Sequence, residues 1–191
     1  MKNIKSLIVI SSLALMGFQC KKDEAAVTPP IPGEEYITTV KLRLENAANP
    51  NDTIWATWKD LTPDDTNAPD TTLAIINVKK NNSYKLAVYI FDETKSPAVD
   101  ITPDIRKEGN YHRFFLIPTS SIASKVVVTP TDYDSNSPAL YIGLNNLVAI
   151  SDTIASGKLE GILKHQPNTK DGTLAPGSTD IDVFFQFNIT Q

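Results

Sequence analysis

The chain reads as an all-β protein, a single β-sandwich of the immunoglobulin-like Greek-key kind with about eight or nine strands. Three observations predict it. From residue 36 onward, apolar residues recur with a period of two, the spacing of strands that bury one face. The intervening segments are rich in Pro, Asn, Asp, Gly and Ser, the residues that turns demand. No stretch sustains a 3.6-residue apolar period with caps. Nor does an internal repeat point to a propeller or solenoid.

Each element follows from its own pattern. Val40, Leu42 and Leu44 alternate with Lys41, Arg43 and Glu45. Ile54, Ala56 and Trp58 alternate with Thr53, Thr57 and Lys59, with Trp55 on the polar side. Residues 73–78 form a short apolar run. Tyr84, Leu86, Val88 and Ile90 share one face, and Ala87, Tyr89 and Phe91 make the other apolar too, which predicts a central strand. Residues 100–109 suit one helical turn. Residues 112–117 are again apolar on both faces. Val126 and Val128 mark a further strand, and 140–144 and 147–150 are shorter candidates. Leu159, Gly161 and Leu163 alternate with Lys158 and Lys164. The last strand sets Ile181, Val183, Phe185, Phe187 and Ile189 against Asp180, Asp182, Gln186 and Asn188, with Phe184 on that second face. Turn clusters at 46–52, 62–70, 79–83, 132–138 and 168–178 separate these runs.

The first 35 residues are of another kind. Met1-Lys2-Asn3-Ile4-Lys5 is basic, residues 6–18 are hydrophobic, and the only cysteine of the 191-residue chain, Cys20, follows directly. A basic head, a short apolar run and a cysteine at its end read as a secretory signal with an acylation site. The expected division is a signal peptide over 1–19, acylated Cys20 with a tether over 20–35, and the sandwich over 36–191. The tether holds Pro29, Pro30, Pro32 and Gly33 and has little to bury. With Cys20 acylated, no disulfide forms. No run after the signal reaches the ~18 apolar residues that a spanning helix needs. Removal of Lys2 and Lys5 leaves 16 basic against 22 acidic side chains, an acidic balance that argues against nucleic acid.

Three resemblances extend this reading. Leu15-Met16-Gly17-Phe18-Gln19-Cys20 resembles a bacterial lipobox, with Gly17 where the common pattern has Leu. Lys21-Lys22-Asp23-Glu24 resembles the charged tract of Bacteroidetes lipoproteins that reach the cell surface. That resemblance implies a diacylglyceryl group and an N-acyl chain such as palmitate on Cys20. Each buried methylene contributes about 0.8 kcal/mol, so several chains together anchor a protein durably. The domain also resembles a family of small Bacteroidetes lipoproteins. It does so through residues 34–42, Trp58-Lys59-Asp60-Leu61, Asp92-Glu93-Thr94, His112-Arg113-Phe114-Phe115, Leu163-Lys164-His165-Gln166-Pro167 and Thr179-Asp180-Ile181. Genes of that family tend to lie beside TonB-dependent outer-membrane receptors. The resemblance implies an outer-membrane, lipid-anchored accessory protein whose cargo is a metal ion or chelate.

Two histidines are the residues that bear on chemistry. His112 opens an apolar strand and His165 closes another before Pro167. Strand ends of a sandwich cluster at its poles, so the two can meet. His165 shares a face with Leu159 and Leu163, which puts its ring inward at the rim. One reading is a pair of rim histidines satisfied by backbone or water. The other is a shared site for a borderline metal such as Zn or Cu, with a carboxylate from Glu108, Asp132 or Asp134. Residues 132–137 alternate oxygen ligands but lack the Gly and Glu of a calcium loop. No nucleophile–base motif is present, so the chain reads as non-catalytic. The alternatives are a structural or adhesion-type interaction protein, or a glycan-binding sandwich displaying Trp55 or Tyr89 on one surface.

Replacing Cys20 by Ser is expected to release the protein from the membrane fraction or to leave an unprocessed precursor. Fractionation with mass measurement checks this. Normal processing with full membrane retention would remove the lipoprotein assignment.

Overall fold

The computed structural model describes residues 36–63, 67–119 and 121–191. The expected signal peptide, Cys20 and the expected tether lie outside the described residues. The elements in order are β1 (Thr39–Asn46), β2 (Thr53–Lys59), β3 (Ile75–Lys79), β4 (Ser83–Asp92), β5 (Val99–Asp100), α1 (Thr102–Lys107), β6 (His112–Pro118), β7 (Val126–Pro130), β8 (Asn145–Ile150), β9 (Ala155–His165) and β10 (Ser178–Thr190).

They form two packed sheets. One runs β2-β1-β4-β8-β7, with β5 paired to the end of β4, and the other runs β3-β10-β9-β6. All pairings are antiparallel except that of β10 with β3. The order β1-β4-β8-β7 against β6-β9-β10 is that of an immunoglobulin-type sandwich, four strands facing three. β3 adds a parallel edge to the last strand, and β2 adds an edge to the first.

Alternation explains which residues line the interior. Val40, Leu42 and Leu44 of β1, Tyr84, Leu86, Val88 and Ile90 of β4, Leu159 and Leu163 of β9, and Val183, Phe185, Phe187 and Ile189 of β10 are all buried. Tyr84 keeps its hydroxyl satisfied inside by accepting the Lys79 N–H at 2.9 Å. The expected helical turn is α1, with Pro103 in its first turn and buried Ile105 against the sheets.

Two expectations differ from the structure. β5 is an extra two-residue strand that the apolar pattern does not mark, because both its residues are exposed. Residues 140–144 form no strand. Although Ile142 and Leu144 are buried, the amides of Gly143 and Leu144 go to the Asp132 carboxylate instead of a neighbouring strand.

Phe185 is fully buried between the sheets. Phe185→Ala is expected to cost about 3–5 kcal/mol, a large part of the ~5–15 kcal/mol that holds a domain together. Urea denaturation reads the loss as a lowered midpoint. An unchanged midpoint would show that this face does not carry the core.

Candidate functional site

β6 and β9 pair so that His112 lies directly opposite His165 at the end of the ladder. Both side chains stand on the inner face, in line with Phe114 on one strand and Leu163 on the other. Their rings meet, with centroids 4.7 Å apart and planes 9° from parallel. His112 is completely buried, while His165 is partly open at the rim. His112 Nδ1 lies 3.3 Å from the Glu108 carbonyl oxygen. A carbonyl only accepts, so Nδ1 carries the proton and Nε2 is the ring's other pole.

Nε2 of His112 faces Asp180 Oδ2 at 3.8 Å, and the Asp180 side chain is also buried. Simple alternation along β10 places Asp180 outside. The structure brings it in because the register of β10 against β9 shifts between Thr179 and Ile181. Asp180 is the extra residue of that irregularity. Such a bulge re-aims a side chain, and here it turns a carboxylate toward the imidazole.

Stacking decides what the histidine pair can hold. A ligating nitrogen directs its lone pair in the plane of its own ring, at about 2.0–2.1 Å from zinc. Two nearly parallel stacked rings have no common point in both planes. One ring must turn before both can bind the same ion. Glu108 is itself exposed and contributes its backbone carbonyl to His112, where the sequence reading offers its carboxylate. Asp132 is committed to the amides of Gly143, Leu144 and Asn145 and to Arg106. Among the described residues, no group of three or more His, Cys, Asp or Glu side chains is arranged to hold a metal ion. The contacts around the histidines instead tie β6, β9 and β10 together at this pole.

The loops that flank the two histidines in sequence wall a cavity of about 560 Å³ lined by Asn110, Tyr111, Asn136, Ser137, Pro138, Leu140, Asn168, Lys170 and Asp171. That size is within the range of small-molecule sites. Three loops wall it, and one side chain joins them. Lys170, from the loop after β9, donates to the Gly109 carbonyl at 2.7 Å and to Asp134 Oδ2 at 2.7 Å. Both charged side chains of this pair are buried. Asn110 Oδ1 accepts from Ser135 N and Oγ at 2.9 Å, and Asn136 Nδ2 donates to Asp134 at 2.9 Å. Burial pushes the Asp134 carboxyl up, but the Lys170 bond and the amides of Leu140 and Asn136 outweigh it and hold the group below the ordinary carboxylate range. Burial also lowers Lys170, against the opposing pull of Asp134.

The loop at 167–177 is held from below as well. Gln166 is fully buried and donates through Nε2 to the Thr173 and Pro176 carbonyls at 2.8 and 3.0 Å. Arg113 donates to the Gly172 carbonyl and lies over the Phe115 ring at 4.3 Å. Gly177 has φ +75°, and a Cβ there would meet the His165 carbonyl oxygen at 2.0 Å, so only glycine closes this loop.

The sequence reading allows His112 and His165 to meet at one pole without fixing it and names Asp134, but it misses Asp180, Gln166 and Lys170. A lone lysine in a polar turn looks like any solvated lysine. The Leu163-Lys164-His165-Gln166-Pro167 segment is the one signal that marks Gln166. No known protein-family model, curated protein or solved structure matches this chain.

Asp134 contributes stability through its lowered pKa. That contribution is fully present above the unfolded carboxylate value of about 3.9 and is lost as pH falls through the lower folded value. Asp134→Asn is expected to cost about 3–5 kcal/mol at pH 7, because it leaves Lys170 buried without its counter-charge. The gap to wild type should narrow below about pH 4 as the native carboxylate is protonated. Urea midpoints at pH 7, 5 and 3.5 measure it. A gap that is absent at pH 7, or independent of pH, would rule the pair out as a stabilising element.

Proposed function

We propose that this chain is a non-catalytic lipoprotein of the bacterial outer membrane, belonging with the small Bacteroidetes lipoproteins it resembles. Cys20 carries the lipid anchor. The sandwich acts as an accessory binding module for a TonB-dependent receptor, and its cargo is a small polar molecule of the metal-chelate class. One observation carries the choice of a chelate over a bare ion. The pole offers a polar cavity of about 560 Å³ walled by Asn110, Asn136 and Asn168, whereas the adjoining imidazoles are stacked, not convergent. A chelate brings its own metal ligands. It needs from the protein only hydrogen-bonding groups of both kinds, which side-chain amides supply, and an aromatic wall, which Tyr111 supplies.

The loops are suited to this by their support. The cavity walls rest on the buried Lys170–Asp134 pair, so the amides are held in place before cargo arrives. In this reading His112, His165 and Asp180 are positioning residues that fix the strand ends under the pocket.

The test uses full-length protein extracted in mild detergent without chelators. Calorimetric titration compares ferric citrate, citrate alone and Zn²⁺ alone, on wild type and on Asn168→Ala and His165→Ala variants. Saturable binding of ferric citrate that weakens in Asn168→Ala, with no tight binding of Zn²⁺, is the expected result. Tight Zn²⁺ binding that disappears in His165→Ala would overturn the chelate reading in favour of a histidine metal site. Absence of binding to all three probes would favour an interaction module without a small-molecule site.

A further inference from the structure

The outer face of the six-stranded sheet carries side chains that the sandwich itself does not require. Trp55 is 54% exposed, and its ring lies 5.6 Å from that of Tyr89, tilted by 36°. The two stand on β2 and β4, so the pair reaches across the strand between them. On that strand Arg43 is opposite both Trp55 and Ala87, and Lys41 is opposite both Thr57 and Tyr89. Lys41 Nζ sits 4.6 Å from the centre of the Phe91 ring. A hollow of about 440 Å³ borders each end of this platform. Arg43, Lys85 and Asn145 line one, and Tyr89, Arg106 and Lys107 line the other. Because Arg43 belongs to the first and Tyr89 to the second, hollow, platform and hollow form one track.

Charge on the track opposes that of the chain. Lys41, Arg43, Lys59 and Lys85 on these strands meet Glu45, inward-turned Asp92 and, just beyond β4, Glu93, with Asp100 in the second hollow, while the whole chain has a net charge of −4. Glu93 is shared between Lys41, at 3.1 Å, and Lys59, and Glu45 lies 3.6 Å from Arg43, so three of these four cations share two carboxylates. The cationic excess is local, and it coincides with exposed Trp55 and half-buried Tyr89.

We propose that this face binds an acidic polysaccharide, a linear glycan bearing uronic-acid carboxylates. The flat C–H faces of sugar rings pack on exposed aromatic rings, as apolar surface does on any aromatic. Ring carboxylates then meet Arg43, Lys41 and Lys85, with the bidentate geometry that guanidinium offers. An open sheet face with a hollow at both ends admits a chain passing across it, where a closed pocket admits only an end. A nucleic acid would use the same two kinds of group, so oligothymidylate is the competing ligand in the test. This site is separate from the pole, and its success or failure leaves the chelate reading untouched.

The experiment takes the full-length protein in detergent and measures its affinity for polygalacturonate, for the same polymer methyl-esterified to remove its charge, and for oligothymidylate. Polygalacturonate is expected to bind at least about tenfold more tightly than the esterified polymer, and added salt should weaken it. Trp55→Ala and Tyr89→Ala are each expected to weaken it about tenfold. Lys85→Glu, at an exposed position, reads the charge term without disturbing the aromatic pair, and circular dichroism checks that every variant is folded. Asn168→Ala at the pole should leave glycan binding unchanged. Equal affinity for charged and esterified polymer, undiminished binding by folded Trp55→Ala and Tyr89→Ala, tighter binding of oligothymidylate, or no binding of polygalacturonate would each overturn the proposal.

Discussion

The pole of this sandwich hangs on a single ammonium group. Lys170 leaves the loop that follows β9, and its Nζ meets the carbonyl of Gly109 and the carboxylate of Asp134, each at 2.7 Å. Burying two charges is expensive, and their attraction offsets the cost only when geometry is good and the remaining valences are filled. Here they are. Asp134 also accepts the amides of Leu140 and Asn136, so its lone pairs are occupied from its own loop as well as from Lys170. Three loops distant in sequence thereby become one wall. The cavity they enclose exists because this pair is formed, and the amides that face it are presented by a rigid support.

Much of the sandwich could be read from alternation, because alternation is the physical signature of a strand with one buried face. β1, β4, β9 and β10 follow it nearly residue by residue. Where the reading fails, backbone chemistry has overridden the pattern. Residues 140–144 look like a strand, yet Asp132 takes the amides of Gly143, Leu144 and Asn145, and Gly143 has φ +83°. A carboxylate captures the donors that a ladder would have used. At β10 a one-residue irregularity beside Asp180 reverses its facing, and no side-chain pattern announces a bulge.

The histidine pair shows where residue type stops being informative. From the strand ends alone the two rings could share a pole or lie at opposite ones; the register of β6 with β9 makes them cross-strand neighbours on the inner face. Nor do the strand ends give their relative orientation. A tilt of one ring by a right angle would separate a stack from a chelating pair, and that angle depends on packing at Phe114, Asp180 and the Glu108 carbonyl. The sequence carries the donor set, whereas the tertiary packing sets the directions of the lone pairs. Coordination depends on direction as much as on distance.

Net charge has the same weakness as a guide to partners. Of the acids that make this chain negative, Asp132 and Asp134 are turned inward and bound to amides or an ammonium, and Asp180 is turned inward toward the His112 ring. They hold the pole together and project little field to solvent, since paired buried charges largely cancel at a distance. Several of the bases stand on the outward rows of β1, β2 and β4, around Trp55 and Tyr89, where Lys41, Lys59 and Arg43 share Glu93 and Glu45 at the surface. An acidic chain can therefore show a cationic face. What decides which molecule meets that face is the local arrangement of charge and aromatic surface, and that arrangement follows from strand register.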